Sequence, residues 1–418
     1  MKSIKTYTDA VTFNIKKFIK WILIGSVTGM IVGAVASVFA HCLNIAAEYR
    51  EINPNILYLL PVGGLLIVIL YRAFHYENNK GTDDVIDNIH KDANLPLKMS
   101  FLIFVSTVIT ILFGGSVGRE GAALQIGGSL GSQIGHWLKF NKEDKKIILM
   151  SGMAAAFSAL FGTPIAAVFF PMEVASVGIM YYAALVPCIC ASLVAHIMAK
   201  RFYVEEEVFP VIANQELELE IGMKVLLLAI CCAVLSILFC KALKTVKKLY
   251  KKYLKNAYIQ VITGGILVIV MTLLLGSRDY LGTGMDVIIR ALNGEVVPYA
   301  FLAKMLFTVV TITAGYKGGE IVPSFFIGST FGCIFGHLIG LPPEFSASLG
   351  MIGVFCGVTN CPIASLLIGF ELFGYHNPYY ILVMIAVSYM LSGKYSLYHT
   401  QIITNSKVEY KSIYHDLV

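Results

Sequence analysis

The first chemical feature of the chain is a charged pair inside an otherwise uncharged run. Residues Gly114 to Gly135 read GGSVGREGAALQIGGSLGSQIG, and only Arg119 and Glu120 carry charge there. In apolar surroundings an ionisable side chain is costly, so it faces a water-filled path or a partner. Gly118 and Gly121 flank the pair; glycine lets backbones approach closely and lets a helix begin there. A helix start exposes its first N–H groups at the positive end of the dipole. Such an end attracts anions. The pattern predicts a path for small anions with Glu120 as its gate.

The elements that must position this pair belong to a membrane. Of 418 residues, 57% are hydrophobic and 14% charged, against roughly a quarter charged in a soluble chain. The expected class is an all-α polytopic membrane protein. At ~20 residues per crossing about ten crossings fit, or more pieces if many are short. Gly and Pro inside the apolar runs favour short, broken helices. The formal net charge of +6 is no nucleic-acid signature, because the cations cluster at the flanks of apolar runs: Lys16, Lys17 and Lys20, residues 139–146, Lys200 and Arg201, and residues 241–255. The positive-inside rule puts those flanks and the N-terminus in the cytoplasm. Residues 1–20 are polar and basic, without the apolar core and small-residue site of a cleavable signal. The nine cysteines lack metal-ligand spacing and read as packing residues; no metal is expected.

In chain order, residues 1–20 read as a cytoplasmic lead-in, 21–203 as a first transmembrane repeat, 204–221 as an acidic connector, 222–400 as a second repeat and 401–418 as a short cytoplasmic tail. Gly25, Gly29 and Gly33 share one helix face, the small-residue packing pattern of membrane helices. The duplication is visible in identities. A shift of 201 residues superposes Gly81-Thr82, Ile126, Gly127, Gly131, Gly135 and His136 on Gly282-Thr283, Ile327, Gly328, Gly332, Gly336 and His337. A shift of 198 superposes Gly152, Phe157, Pro164 to Ala166 and Glu173 on Gly350, Phe355, Pro362 to Ala364 and Glu371. Two such halves are how transporters frame a central site.

Three segments resemble the CLC family of chloride channels and proton-coupled anion antiporters. GTDDV at 81–85 is similar to the family's GSGIP loop, GREGA at 118–122 to its GREGP motif and GGEIVP at 318–323 to its GGIFAP loop. PIAAVFFPMEV at 164–174 and SGKYSLY at 392–398 resemble two further family segments, so the likeness spans about Lys17 to Tyr398. It implies a fold of two inverted repeats with about eighteen tilted, partly broken helices, a homodimer with one pore per subunit, and cytoplasmic termini in a cell membrane. It makes Glu120 the gating and proton-carrying glutamate and puts Thr82 where a serine coordinates the anion. Backbone N–H groups around Ile321 and Val322, with Gly118 and Gly121, complete the expected anion contacts. The pore tyrosine is Tyr398 if one residue is inserted after Lys394, otherwise Tyr395.

GYKGGE at 315–320 further resembles the fluoride-exporting branch, in which a glutamate stands at the position of Glu320 and the coordinating serine is replaced. Glu320 is then a second central carboxylate, and Val174 stands where proton-coupled chloride members have an internal glutamate. The implied function is fluoride export in exchange for protons, with chloride/proton exchange or a passive chloride channel as alternatives. No cofactor is implied beyond the transported ions.

Simpler roles exist for the same residues. Glu120 can pair with Arg119 or Lys317, Glu320 can pair with Lys317, Thr82 can cap a helix, and a tyrosine can anchor at the membrane interface. Gly114 to Gly118 also matches the GxSxG pattern of serine hydrolases, with Ser116 as nucleophile and His196 or His41 as base. No strand precedes it and the duplication is then unexplained, so the chain is not expected to be an enzyme. Glu173 and Glu371, repeated in both halves, point to a structural role in each.

Overall fold

Apolar runs broken by Gly and Pro give sixteen α-helices and two short 3-10 turns among the described residues. This computed structural model describes residues 2–91, 94–205, 209–404 and 407. The first half holds α1 (Lys2–Ile52), α2 (Leu60–Ala73), α3 (Thr82–His90), α4 (Leu97–Leu112), α5 (Glu120–Trp137), α6 (Lys142–Phe161), α7 (Pro164–Val174) and α8 (Leu185–Arg201). The second holds α9 (Leu219–Tyr253), α10 (Ala257–Leu275), α11 (Met285–Leu292), α12 (Ala300–Ala314), α13 (Ile321–Ile339), α14 (Pro343–Thr359), α15 (Pro362–Phe373) and α16 (Pro378–Leu391). The halves match helix for helix. Six helical stretches are long and apolar enough to cross a bilayer, among them Val11–Ile52 and Leu219–Tyr253, while α3, α7, α11 and α15 are too short. The resemblance implied about eighteen helices; sixteen occur among the described residues, and the expected lead-in and first span account for one of the difference by forming a single continuous helix, α1. The basic run at 247–256 likewise begins as the last turns of α9.

Close helix contact is made where small residues remove side-chain bulk. Gly25, Gly29 and Gly33 on α1 lie against Pro187, Ala191 and Ala195 of α8. A Cβ on Gly127 of α5 would stand 2.2 Å from the Gly152 carbonyl oxygen of α6. The repeat counterpart does the same: a Cβ on Gly328 of α13 would stand 2.3 Å from the Gly350 oxygen of α14.

Two further contacts show how the halves are related. Glu173 at the end of α7 accepts the N–H groups of Ile363 and Ala364, at 3.0 and 2.9 Å, at the start of α15. Glu371 at the end of α15 accepts those of Ile165 and Ala166, at 2.7 and 2.8 Å, at the start of α7. Each carboxylate thus satisfies two first-turn donors of the other repeat's helix. The shared structural role expected for the pair is a reciprocal cap.

The segment after α16 crosses back under the bundle. Ile402–Ile403 (β2) pairs in parallel with Ser176–Val177 (β1), and Gln401 donates to the carbonyls of Val174 and Thr359, both at 2.9 Å. Of the expected tail at 401–418, residues 405–406 and 408–418 lie outside the described residues, as do 206–208 of the acidic connector.

Candidate functional site

The loops before α5 and α13 meet at the centre of the molecule. Gly118 N–H donates to the Gly319 oxygen at 2.7 Å, and Gly319 N–H donates to the Gly118 oxygen at 2.8 Å. These two glycines are each other's counterparts under the 201-residue shift. A residue can pair reciprocally with its own counterpart only beside a two-fold relation, so the pseudo-symmetry of the duplication passes through this bridge. No side chain fits here: a Cβ on Gly319 would stand 2.4 Å from the Gly121 nitrogen, and one on Gly121 would stand 2.7 Å from the Gly319 Cα. Gly118 was expected among the anion contacts; in the structure its N–H is bonded to the Gly319 oxygen.

Glu120 opens α5 and is fully buried. Its Oε2 accepts the Arg119 backbone N–H at 3.1 Å, and its Oε1 lies 3.5 Å from the Arg119 Nε. The same carboxylate closes the space beside Gly118, together with Val322 and Pro323. Ile321 and Val322 begin α13, fully buried, with first-turn N–H groups that an α-helix cannot satisfy internally. The pairing of Glu120 with Arg119 is present. The Lys317 ammonium instead lies 4.5 Å from the centre of the Tyr71 ring.

A cavity of about 70 Å³ gathers residues distant in sequence: Thr82, Asp83, Lys247, Glu320, Tyr398 and His399 all line it. Thr82 starts α3 and reaches toward α5; its Oγ1 lies 3.4 Å from the Gly121 oxygen and 3.3 Å from the Gln125 Nε2. Glu320 is the N-cap residue of α13. The Tyr398 hydroxyl is buried, with no hydrogen-bond partner among the described residues. Tyr395 does not line this cavity. Its ring lies under the Lys241 ammonium of α9, at 5.0 Å, and its carbonyl accepts from Asn360. The structure therefore brings Tyr398, and not Tyr395, to Thr82 and Glu320.

A larger cavity of about 400 Å³ is lined by Arg50, Arg119, Arg278, Thr283 and Asp286. Under the 201-residue shift Thr283 is the counterpart of Thr82 and Arg119 that of Glu320. The two cavities are repeat counterparts, one on each side of the glycine bridge's elements.

Several contributors escaped the sequence reading. Gln125 sits one helical turn after Gly121 and holds both the Gly121 oxygen, at 3.2 Å, and Thr82; a lone amide four residues along in an apolar run was the available signal. Lys304 of α12 is fully buried and donates to the Tyr280 and Gly282 oxygens at 3.2 and 2.8 Å, fixing the loop that carries Thr283. The two aspartates of GTDDV also have partners. Asp84 accepts the Lys80 N–H at 2.8 Å and the Asn79 amide at 3.1 Å, closing the turn before α3. Asp83 Oδ1 accepts the His399 N–H at 2.7 Å. The Ser116 hydroxyl is bonded to Thr308 at 3.0 Å and the His41 ring to the Phe202 oxygen at 2.6 Å, an arrangement of structural contacts.

Broken helices, two related halves and buried carboxylates beside a glycine crossing define a membrane ion carrier or channel. The profile of the Voltage gated chloride channel family matches residues 63–393, and the chain belongs to that family, the CLC proteins. It is 34% identical over 401 residues to a chloride/fluoride channel protein of Pseudomonas syringae pv. tomato, covering 93% of this chain and 87% of that one. A solved CLC-type fluoride/proton antiporter superposes with a TM-score of 0.88 at 30% identity, covering 92% of this chain and 98% of its own. An H(+)/Cl(-) exchange transporter of Vibrio campbellii is 24% identical over 401 residues, covering 88% and 84%. The relatives named for fluoride share more with this chain than that chloride exchanger does. The fold is the CLC fold of two inverted repeats, and the protein is a membrane-embedded anion transporter or channel of this family.

Proposed function

We propose that the protein exports fluoride from the cell in exchange for inward protons. The observation that carries the reading is the second carboxylate: Glu320 lines the same small cavity as Thr82 and Tyr398. Fluoride is a small, strong hydrogen-bond acceptor, and hydroxyls with helix-start N–H groups can hold it without a fixed charge that would prevent release. Thr82 and Tyr398, with N–H groups at Gly121, Ile321 and Val322, supply the donors. The 3.4 Å contact from Thr82 to Gly121 is weak enough to yield to an anion. Glu120 alternately closes the path beside Gly118 and carries the proton, and Glu320 assists the transfer. The small cavity faces the cytoplasm, on the side of the α9 lysines, and the larger one faces outside. Both termini are cytoplasmic, and the working unit is a homodimer in the cell membrane. The likeness to a protein described as a fluoride/proton antiporter supports this reading.

The test is anion efflux from liposomes holding purified protein and loaded with fluoride or chloride, with external pH followed. Fluoride should leave much faster than chloride while protons move the other way, and Glu120→Gln should abolish proton movement. Equal chloride efflux would make this a general chloride/proton exchanger. Flux without proton movement in the wild type would make it a channel.

A further inference from the structure

We infer that Asp83 is a positioning residue that fixes Tyr398 in the anion cavity by clamping the chain immediately after it. The inference rests on Tyr398 being an anion contact. A carboxylate in the first turn of α3 suits the helix dipole, yet an uncompensated negative charge in the cavity wall would repel the ion carried there, so what engages it matters.

The geometry shows where that carboxylate is engaged. Asp83 Oδ1 accepts the N–H groups of His399 and Thr400, at 2.7 and 3.3 Å, and lies 3.3 Å from the Thr400 hydroxyl. The same hydroxyl donates to the Asp83 backbone oxygen at 2.9 Å. One acid therefore ties the two residues following Tyr398 to the residue following Thr82, and the two cavity hydroxyls become parts of one unit. Tyr398 needs such a fixing. It lies on an irregular segment after α16, and its own hydroxyl has no partner among the described residues. On the near side its backbone N–H donates to the Ser396 hydroxyl at 3.0 Å and the Leu397 N–H to the Val358 oxygen at 2.9 Å, which leaves the far side to Asp83.

The second repeat supplies the internal control. Under the 201-residue shift the counterpart of Asp83 is Gly284, and among the described residues no tyrosine lines the larger cavity around Thr283. At these counterpart positions the acid stands at the cavity that has a tyrosine to hold, and glycine at the one that does not. The other charged groups facing this corner are Lys80, Lys247 and Glu320.

The experiment measures fluoride and chloride efflux from liposomes for Asp83→Ala, Asp83→Asn, Thr400→Val, Tyr398→Ala and the double variant Asp83→Ala/Tyr398→Ala, each checked for a monodisperse folded protein. Tyr398→Ala and Asp83→Ala should each change the fluoride-to-chloride rate ratio in the same direction, by about tenfold and about fivefold. In the double variant Asp83→Ala should add less than about twofold, because the clamp then has nothing to hold. Asp83→Asn, which keeps an acceptor oxygen, should retain most of the wild-type ratio, and Thr400→Val should show a weaker version of the Asp83→Ala change. Multiplying effects in the double variant, or Asp83→Asn as damaging as Asp83→Ala, would overturn the clamp while leaving the anion site standing. If Tyr398→Ala leaves both rates unchanged, the anion-site reading itself fails, and the clamp with it. Should Asp83→Ala not fold, Asp83→Asn and Thr400→Val still decide the matter, since the clamp requires the first to be mild and the second to shift the ratio.

Discussion

The two repeats agree where they build the bundle and differ where they meet the ion path. Glu173 and Glu371 each cap the other repeat's helix through two N–H bonds. Gly127 against Gly152 and Gly328 against Gly350 make the same close contact twice. At the ends of α5 and α13 the likeness breaks. Glu120 corresponds to Ile321 and Arg119 to Glu320, so the two acids beside the glycine bridge occupy neighbouring, non-equivalent positions: first helical residue in one repeat, N-cap in the other. The cavities follow suit. One carries Arg119 and is about 400 Å³, the other carries Glu320 and Tyr398 and is about 70 Å³. A duplicated scaffold gives a symmetric crossing, and substitutions at counterpart positions give it a direction.

The widest gap is expected between Arg119 and Glu320, counterparts with different employment. Arg119 is 6% exposed and stands beside a carboxylate that is 0% exposed. Removing one partner of such a buried pair costs about 4 kcal/mol, so Arg119→Gln should lower stability by that order in thermal unfolding with detergent. Glu320→Gln should change stability by less than about 1 kcal/mol, yet cut proton-coupled flux by about a hundredfold, the scale of losing a proton-transfer group. Two equally destabilised variants with equal flux would show that counterpart positions do not divide structure from function.

Glu173 and Glu371 test the symmetric part. Each accepts two backbone hydrogen bonds, and a charged acceptor contributes about 2 kcal/mol in such a contact. Glu173→Gln and Glu371→Gln should each lower stability by about that amount, the former by more because Glu173 is the more deeply buried. Neither should alter the ratio of fluoride to chloride efflux. A selectivity change in one variant alone would move that glutamate from scaffold to ion path.

How much of this was legible in the sequence follows the same division. The duplication and the small-residue packing of α1 were readable because helix contact in a membrane leaves a periodic residue signature. The change of shift from 201 to 198 residues has a local cause: α6 is 20 residues long and α14 is 17, so close to one turn is missing between their conserved ends. The Glu173 and Glu371 roles were readable from recurrence alone. What could not be read was any contact depending on an irregular segment. The path after α16 decides between Tyr395 and Tyr398, and it is set by Asp83, Gln401 and the β1–β2 pair, none of which is periodic. That the Gly118 N–H is used by the Gly319 oxygen was equally hidden, because a motif does not reveal which donors the fold itself uses.

The smallest effect probes the contacts of α4 and α12 with the loops before α13 and α5, where the symmetry holds for the backbone N–H bonds and fails for side chains. Thr311 Oγ1 accepts the Ser116 N–H at 3.2 Å, and its counterpart Thr110 Oγ1 accepts the Lys317 N–H at 3.3 Å. One turn earlier, Thr308 pairs with the Ser116 hydroxyl at 3.0 Å. Its counterpart Thr107 has no such bond, because Lys317 stands where Ser116 would and directs its ammonium to Tyr71. Valine matches threonine in shape, so exchanging the two isolates the hydroxyl. Thr308→Val should cost about 0.6 kcal/mol, the usual scale of a side-chain hydrogen bond between membrane helices. Thr107→Val, removing a buried hydroxyl without a partner, should be neutral or stabilising. Ion flux should persist in both, and a loss of flux in Thr107→Val would mean that the orphaned hydroxyl of the first repeat faces the path, making these contacts a third point at which the halves have diverged in function.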